Sequence, residues 1–343
     1  MAGKKMTALK MVAWELTRSC NLACSHCRAS SEKGPYAGEL STAECLAVLD
    51  EIASFANPVI IRTGGEPLLR KDIFEIAGYG RNKGLKVVMA TNGTLLDGEH
   101  IRGIVDSGIR MISVSLDGPD RKSHDLFRQV PGAFESALAG MEKAKAAGLG
   151  IQINSTITKR NKGLLPEIMN LGVKLGVKSH HLFFLVPTGR GRLMQNEALS
   201  PAEYEETLQF LSRQKRDSHV DIKVTCAPHF NRILLQAHAD KTGSLGGTGC
   251  MAGSSFCFIS HQGELQPCGY LEIACGNVRR AGFRKAWSGS EVFNNLRDRS
   301  GLQGKCGACE FKMVCGGCRA RAYAKNGDYL SPEPYCIYEP RAK

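Results

Sequence analysis

Apolar and polar positions alternate along residues 9–187 in two rhythms. Short apolar runs at Lys10–Leu16, Pro58–Arg62, Lys86–Ala90, Met111–Leu116, Gly150–Ile157 and His181–Val186 read as strands. Between them, apolar residues recur every three to four positions over Thr42–Phe55, Asp72–Lys83, Gly98–Ser107, Pro131–Ala147 and Leu164–Gly176, which predicts helices. Ser41 with Glu44 three residues on is an N-cap signature for the first of these. Several helical patterns run into a glycine (Gly84, Gly108, Gly148, Gly176), where the chain can turn through a left-handed cap. Strand–helix alternation predicts an α/β fold with a parallel sheet, and right-handed crossovers wrap six such repeats into a partial (β/α)6 barrel. In parallel barrels the chemistry collects just after the strands, at their C-terminal ends.

The rhythm changes after residue 187. Thr188-Gly-Arg-Gly-Arg192 reads as a loop, and Ser200-Pro-Ala-Glu-Tyr204 opens a helix to about Gln214. A short apolar segment, Asp221–Thr225, precedes Cys226-Ala-Pro-His229, and Gly243–Gly249 is glycine-rich. Residues 188–249 therefore read as a bridge between a barrel at 1–187 and a C-terminal region at 250–343. That last region is rich in glycine and cysteine with weak periodicity, so metal is expected to hold its fold.

Composition narrows the setting. The chain is 343 residues long, 43% hydrophobic and 23% charged, ordinary for a soluble protein. It has no apolar run of 18 residues, so no membrane span is expected. Its opening, Met1-Ala-Gly-Lys-Lys-Met6, lacks an apolar signal core, and a cytoplasmic location follows as the expectation. Thiols stay reduced there, so 14 cysteines argue for metal ligands rather than disulfides. They cluster at 20–27 and 226–336, with only Cys45 between, in a helical pattern that makes it a core residue. A net charge of +12 suits nucleic acid, an acidic protein or a polycarboxylate. No block of consecutive Lys or Arg is present, so nucleic acid is not an expected partner.

The first strand runs into Cys20-Asn-Leu-Ala-Cys24-Ser-His-Cys27. Three thiolates this close can hold three irons of a cubane [4Fe–4S] cluster and leave the fourth iron open to a small molecule. The spacing alone also admits zinc. Behind the second strand lies Arg62-Thr63-Gly64-Gly65-Glu66-Pro67, in which two glycines permit close backbone approach to a ligand and Glu66 adds a negative acceptor. On these two motifs together the chain resembles the radical S-adenosylmethionine (SAM) enzymes. The resemblance implies that Cys20, Cys24 and Cys27 hold the cluster to which SAM binds, and that Gly64, Gly65 and Glu66 hold the SAM amino group. It further implies His26 near the adenine, Ser115 near the ribose and carboxylate, Arg128 on the carboxylate, and Asn154 as a ribose candidate. Asp117 reads as a turn cap.

The later cysteines are spaced Cys250-x6-Cys257-x10-Cys268 and Cys306-x2-Cys309-x5-Cys315-x2-Cys318-x17-Cys336. This pattern resembles the SPASM extension of radical SAM enzymes, which holds two auxiliary [4Fe–4S] clusters, giving three clusters in all. The resemblance implies Cys250, Cys257, Cys268 and Cys318 on the nearer auxiliary cluster, and Cys306, Cys309, Cys315 and Cys336 on the farther one. The gap before Cys318 is two residues where the family has three, which leaves Cys318 open. A tetrahedral zinc site at Cys306, Cys309, Cys315 and Cys318 is the alternative. Cys226 and Cys275 are surplus: Cys275 reads as an unmetallated thiol, and Cys226 with His229 as packing or facing the active site.

Four stretches resemble the heme b synthases of the siroheme-dependent pathway: Glu39-Leu-Ser-Thr-Ala-Glu44, Pro187-Thr-Gly-Arg-Gly-Arg192, Cys226-Ala-Pro-His229, and Gly317 through Cys336. What that family implies is oxidative decarboxylation of two propionates of iron-coproporphyrin III to vinyls. It also implies an electron donor such as ferredoxin or flavodoxin and an unidentified acceptor. Arg190 and Arg192 would suit propionate carboxylates, and His229, His180 or His181 the porphyrin iron. The alternatives are a SPASM peptide maturase, a radical SAM deacetylase of a siroheme-derived tetrapyrrole, and an iron–sulfur electron carrier without catalysis. A carrier has no need of the Gly64–Pro67 motif.

Overall fold

The computed structural model describes residues 8–237 and 249–341. The opening residues 1–6 and all of the glycine-rich run except Gly249 lie outside the described residues. Among the described residues, nine strands form one sheet: β1 Met11–Thr17, β2 Val59–Gly64, β3 Lys86–Thr91, β4 Met111–Ser115, β5 Gly150–Ile157, β6 Ser179–Phe184, β7 Asp221–Thr225, β8 Phe256–Ile259 and β9 Leu265–Gln266. Their spatial order is β7-β6-β5-β4-β3-β2-β1-β8-β9, parallel throughout except for the antiparallel β8–β9 pair. The helices on its outer side are α1 Thr42–Ala53, α2 Ile73–Asn82, α3 Gly98–Asp106, α4 Arg121–Arg128, α5 Ala133–Ala146 and α6 Leu165–Lys174, followed by α7 Pro201–Asp217 and α8 Phe230–Ala237.

The α/β class and the six repeats are as the pattern predicts. Ser41 and Glu44 form a reciprocal capping box at α1, and Cys45, on the inner face of that helix, is fully buried. The sheet extends further than expected at both edges. Asp221–Thr225 is a seventh parallel strand on β6, and the C-terminal region sends β8 onto the free edge of β1. Both runs are too short for periodicity to separate strand from loop. Helix α4 also escapes the apolar pattern because it is mostly polar; Asp120 caps its start by accepting from Ser123 N.

Alternate residues of β5 (Ile151, Ile153, Ser155 and Ile157) are buried against the helices, and the others face the half-open concave side. Val12, Trp14, Ile60, Met89, Ile112 and Val114 make the same outer core. Ser115 and Asn154 are neighbours across β4–β5 at the C-terminal strand ends, both half-buried on the concave side.

Candidate active site

The loop carrying Cys20, Cys24 and Cys27 leaves β1 at the mouth of the barrel. Its carbonyls and amides are tied down from several directions. Cys20 N donates to Glu32 O (2.8 Å), Ser25 N to Phe127 O (2.9 Å), and Arg190 N to Cys27 O (3.0 Å). The thiols receive donors as well: Leu22 N to Cys20 Sγ (3.4 Å), Ser31 N to Cys27 Sγ (3.3 Å), and Arg128 Nη1 to Cys24 Sγ (3.5 Å). N–H donation to sulfur is the setting in which cluster-bound thiolates are held and tuned, so this donor set fits a [4Fe–4S] cluster.

Gly64 and Gly65 serve a closer neighbour than a ligand. A Cβ on Gly64 would overlap Thr17 O, and one on Gly65 would overlap Ser19 O and Arg18 O. Gly65 N donates to Thr17 O and Glu66 N to Ser19 O, both at 2.8 Å. The glycines thus let the second loop pack directly on the chain that leads to Cys20. Glu66 is fully buried. It accepts from Thr91 Oγ1 (2.8 Å), Asn92 N (2.7 Å) and Leu68 N (3.1 Å). Burial outweighs these donors and pushes its carboxyl up to about 7. No cation lies within ion-pair distance of it among the described residues.

Asp117 is not a turn cap. It is fully buried, pairs with Arg128 Nη2 at 2.6 Å, lies 3.6 Å from His26 Nε2, and accepts from Thr156 N at 2.7 Å. Burial is the largest influence and raises its pKa, but Arg128, His26, His124 and the Thr156 amide together outweigh it and hold the carboxyl below its ordinary value. Burial lowers His26 to about 4, so its ring is neutral; it packs edge-on to Phe127. The structure therefore joins three sequence-singled residues, Cys24, Arg128 and His26, through Asp117.

Sequence reasoning missed two supports. Asn92, just after β3, donates to Asn21 Oδ1 (2.8 Å) within the cluster loop; its position at a strand end was the available signal. Glu15, fully buried on β1, accepts from Arg28 (2.6 Å) and Arg18 (3.1 Å) and lies 2.8 Å from His261 Nδ1. Burial opposes its charge, yet Arg28 and the other donors bring it down to about 2. Arg28 also lies over the Phe258 ring at 4.4 Å, coupling the cluster loop to β8.

The arginines singled out for substrate have partners within the chain. Arg190 donates from Nε to Cys24 O (2.9 Å) and from Nη1 to Ser31 O (2.8 Å), clamping the cluster loop. Arg192 pairs with Glu272 at 2.7 Å and is largely exposed. His180 points to the outer layer, on Ser155 Oγ at 2.8 Å and against α6, away from the mouth. His181 occupies the other face of β6, opposite Lys223 of β7. His229 is buried against Tyr204 and lines the cavity of the farther cysteine set.

Cys306, Cys309, Cys315 and Cys336 together line that one cavity. Cys268 and Cys318 pack instead in a second group with Tyr270 and Leu271, and Cys250 lies beside both. The four cysteines of the zinc alternative are thus split between two groups. Gly316 and Gly317, at φ 70° and 63°, turn the chain through left-handed geometry so that Cys315 and Cys318 face different groups across a two-residue gap. Cys257, expected in the nearer set, lies apart from that second group. It is fully buried on β8 opposite Val12, in the main core that Cys275 also borders. Strand alternation turns its side chain towards the helices. Cys226 packs in the second group instead, with its thiol hydrogen-bonded to that of Cys318.

A parallel barrel with a three-cysteine loop at its mouth and a cysteine-rich extension defines the class, and the family comparisons agree. The radical SAM superfamily model matches residues 14–171, and an iron–sulfur cluster-binding SPASM model matches 250–310. The chain belongs to the radical SAM enzymes that carry a SPASM iron–sulfur domain. It is 48% identical to the AdoMet-dependent heme synthase of Methanosarcina barkeri, over 98% of both chains. It is 46% identical to the AdoMet-dependent heme synthase of Nitratidesulfovibrio vulgaris, over 97% of this chain and 93% of that one. In fold it is similar to Streptococcus suis SuiB bound to its precursor peptide SuiA, with a TM-score of 0.77 at 15% identity, over 97% of this chain and 76% of that one. Among the described residues, no helix is long and apolar enough to cross a membrane.

Proposed function

We propose that this enzyme converts two propionate side chains of iron-coproporphyrin III to vinyls, giving heme b, as the last step of a siroheme-dependent route. One observation carries the reading: near-half identity, over almost the whole length, to two AdoMet-dependent heme synthases. When bound, a [4Fe–4S] cluster on Cys20, Cys24 and Cys27 together with SAM supplies a 5′-deoxyadenosyl radical as hydrogen-atom acceptor. Each propionate, –CH2–CH2–COO⁻, loses a hydrogen atom from the carbon next to the ring, then CO2 and one electron, leaving –CH=CH2. That electron equals the one each SAM cleavage consumes.

The chain's own residues support this chemistry. Glu66, buried among neutral donors and raised to about 7, gains an ionic partner when the SAM ammonium arrives. Arg128, held by Asp117, presents its charge beside Cys24, where the SAM carboxylate belongs. Gly64 and Gly65 set the loop, while His26, Ser115 and Asn154 line the space left for adenine and ribose. Arg192 can exchange Glu272 for a propionate. In this reading residues 1–187 bind SAM, 188–249 bridge, and 250–343 hold two auxiliary clusters, three clusters in all, in the reducing cytoplasm. Ferredoxin or flavodoxin feeds the electron in.

The test is anaerobic incubation of reduced, reconstituted protein with SAM and iron-coproporphyrin III. Mass spectrometry should show loss of two CO2 and four hydrogens, one abstracted hydrogen atom and one carboxyl proton from each propionate. Unchanged porphyrin alongside active SAM cleavage rejects the tetrapyrrole substrate.

A further inference from the structure

We propose that Cys226, and not Cys257, completes the nearer auxiliary cluster with Cys250, Cys268 and Cys318. The inference rests on the iron–sulfur reading of the SPASM region and not on the choice of substrate.

Position speaks first. Cys226 directly follows β7, at the C-terminal end of a parallel strand, where the fold collects its chemistry. Its backbone sits at φ 62°, a left-handed conformation that a residue with a side chain rarely adopts. That turn brings its thiol onto the thiol of Cys318, in one packed group with Cys268.

The surroundings match a thiolate site. Backbone amides of Ala252 and Arg319 donate to the Cys250 thiol, those of Tyr270 and Leu271 to Cys268, and that of Arg321 to Cys318. Such donors hold and tune cluster sulfurs. The two ends of the group are also tied to each other. Arg321 donates from Nη2 to Cys226 O, pairs through Nε with Glu333 Oε1 at 2.8 Å, and Glu333 Oε2 accepts from Cys318 N at 2.7 Å. One buried ion pair thereby fixes Cys226 and Cys318 together.

Cys257 has none of this. Its strand is locked to β1 in the register Val12↔Cys257 and Trp14↔Ile259. Bringing its thiol to the other face needs a one-residue slip, which would turn Ile259 and its neighbours out of the core as well. Its sulfur neighbour is Cys275, the thiol that no cluster pattern uses. With Cys226 as ligand, all four irons of the nearer cluster carry protein thiolates. None is left for substrate, and the cluster is confined to passing electrons.

The test compares full-length Cys226→Ala and Cys257→Ala, reconstituted anaerobically without porphyrin. Iron and sulfide are counted, and the dithionite-reduced proteins are examined by electron paramagnetic resonance. Cys226→Ala should lose about four irons per chain, or keep them with an altered signal from the opened iron. Cys257→Ala should match the wild type in both readings. Wild-type iron and an unaltered spectrum in Cys226→Ala overturn the assignment, as does selective iron loss in a folded Cys257→Ala. If Cys226→Ala is insoluble, Cys226→Ser, which conserves size, is read by the same spectra with the same outcomes. Failure of the porphyrin assay leaves these readings untouched, because no substrate is present.

Discussion

Asp117 neutralises Arg128, faces His26 and pins Thr156, all from a fully buried position. Removing its charge leaves a buried guanidinium without a counter-ion. Asp117→Asn should therefore cost about 3–5 kcal/mol in denaturant unfolding, with much of it recovered in Asp117→Asn/Arg128→Met. An unchanged unfolding midpoint in the single variant would sink this account of the pair. Its neighbourhood after β4 was visible in the sequence, but its role was not: an aspartate before glycine reads as a turn, and only the approach of α4 gives it Arg128. His180 sets a pH dependence at the same scale. Burial lowers it from 6.5 to about 4, so the unfolded chain takes up the proton first. Its contribution is complete above about pH 6.5 and is lost as pH falls towards 4. Stability should drop by about 1 kcal/mol between pH 7.5 and 5.5 on its account. His180→Phe should flatten that part of the pH profile measured by urea unfolding, and an equally steep profile in the variant argues against it.

Loops after strands are the working elements here, and their backbones pack on one another before any ligand arrives. The Gly64–Gly65 loop sits on the carbonyls of residues 17–19, and Arg190, from the 3₁₀ segment Gly189–Glu197, grips the carbonyls of Cys24 and Ser31. Gly65→Ala puts a methyl group into Ser19 O and must displace the cluster loop. The expected result is a soluble protein with roughly one cluster fewer of iron after reconstitution, and a SAM-dependent spectral change reduced at least tenfold. Full iron with a normal SAM response would show that the loop yields. Motif spacing made both loops legible. It did not show that Arg190 is committed to the backbone of one of them, because that contact joins positions 166 residues apart.

Across the whole molecule, one continuous sheet reaches from β7 to β9, so the barrel and the first part of the C-terminal region share hydrogen bonds. Beyond β9, residues 299–341 have short helices and turns around the farther cysteine set. Oxidative removal of iron with a chelator should therefore expose 299–341 to trypsin first, while fragments containing β1–β6 persist. Simultaneous loss of both parts would mean that metal supports the barrel too. Hydrophobic rhythm was enough to read the strand–helix repeats, because each repeat buries one face over many residues. The edge strands and the cysteine-rich tail lack that redundancy.

Local chemistry was set by the sequence itself: three close thiols on a strand end, a Gly-Gly-Glu-Pro loop on the next, and a cysteine-dense tail. These are matters of spacing over a few residues, and covalent geometry carries them into space. Which cysteines of the tail meet, and which charges neutralise one another, was decided by the tertiary structure. Cys226 reaches Cys318 and Asp117 reaches Arg128 only because strand register and chain crossings bring distant residues together, and a one-residue change of register would turn Cys257 from core to cluster face.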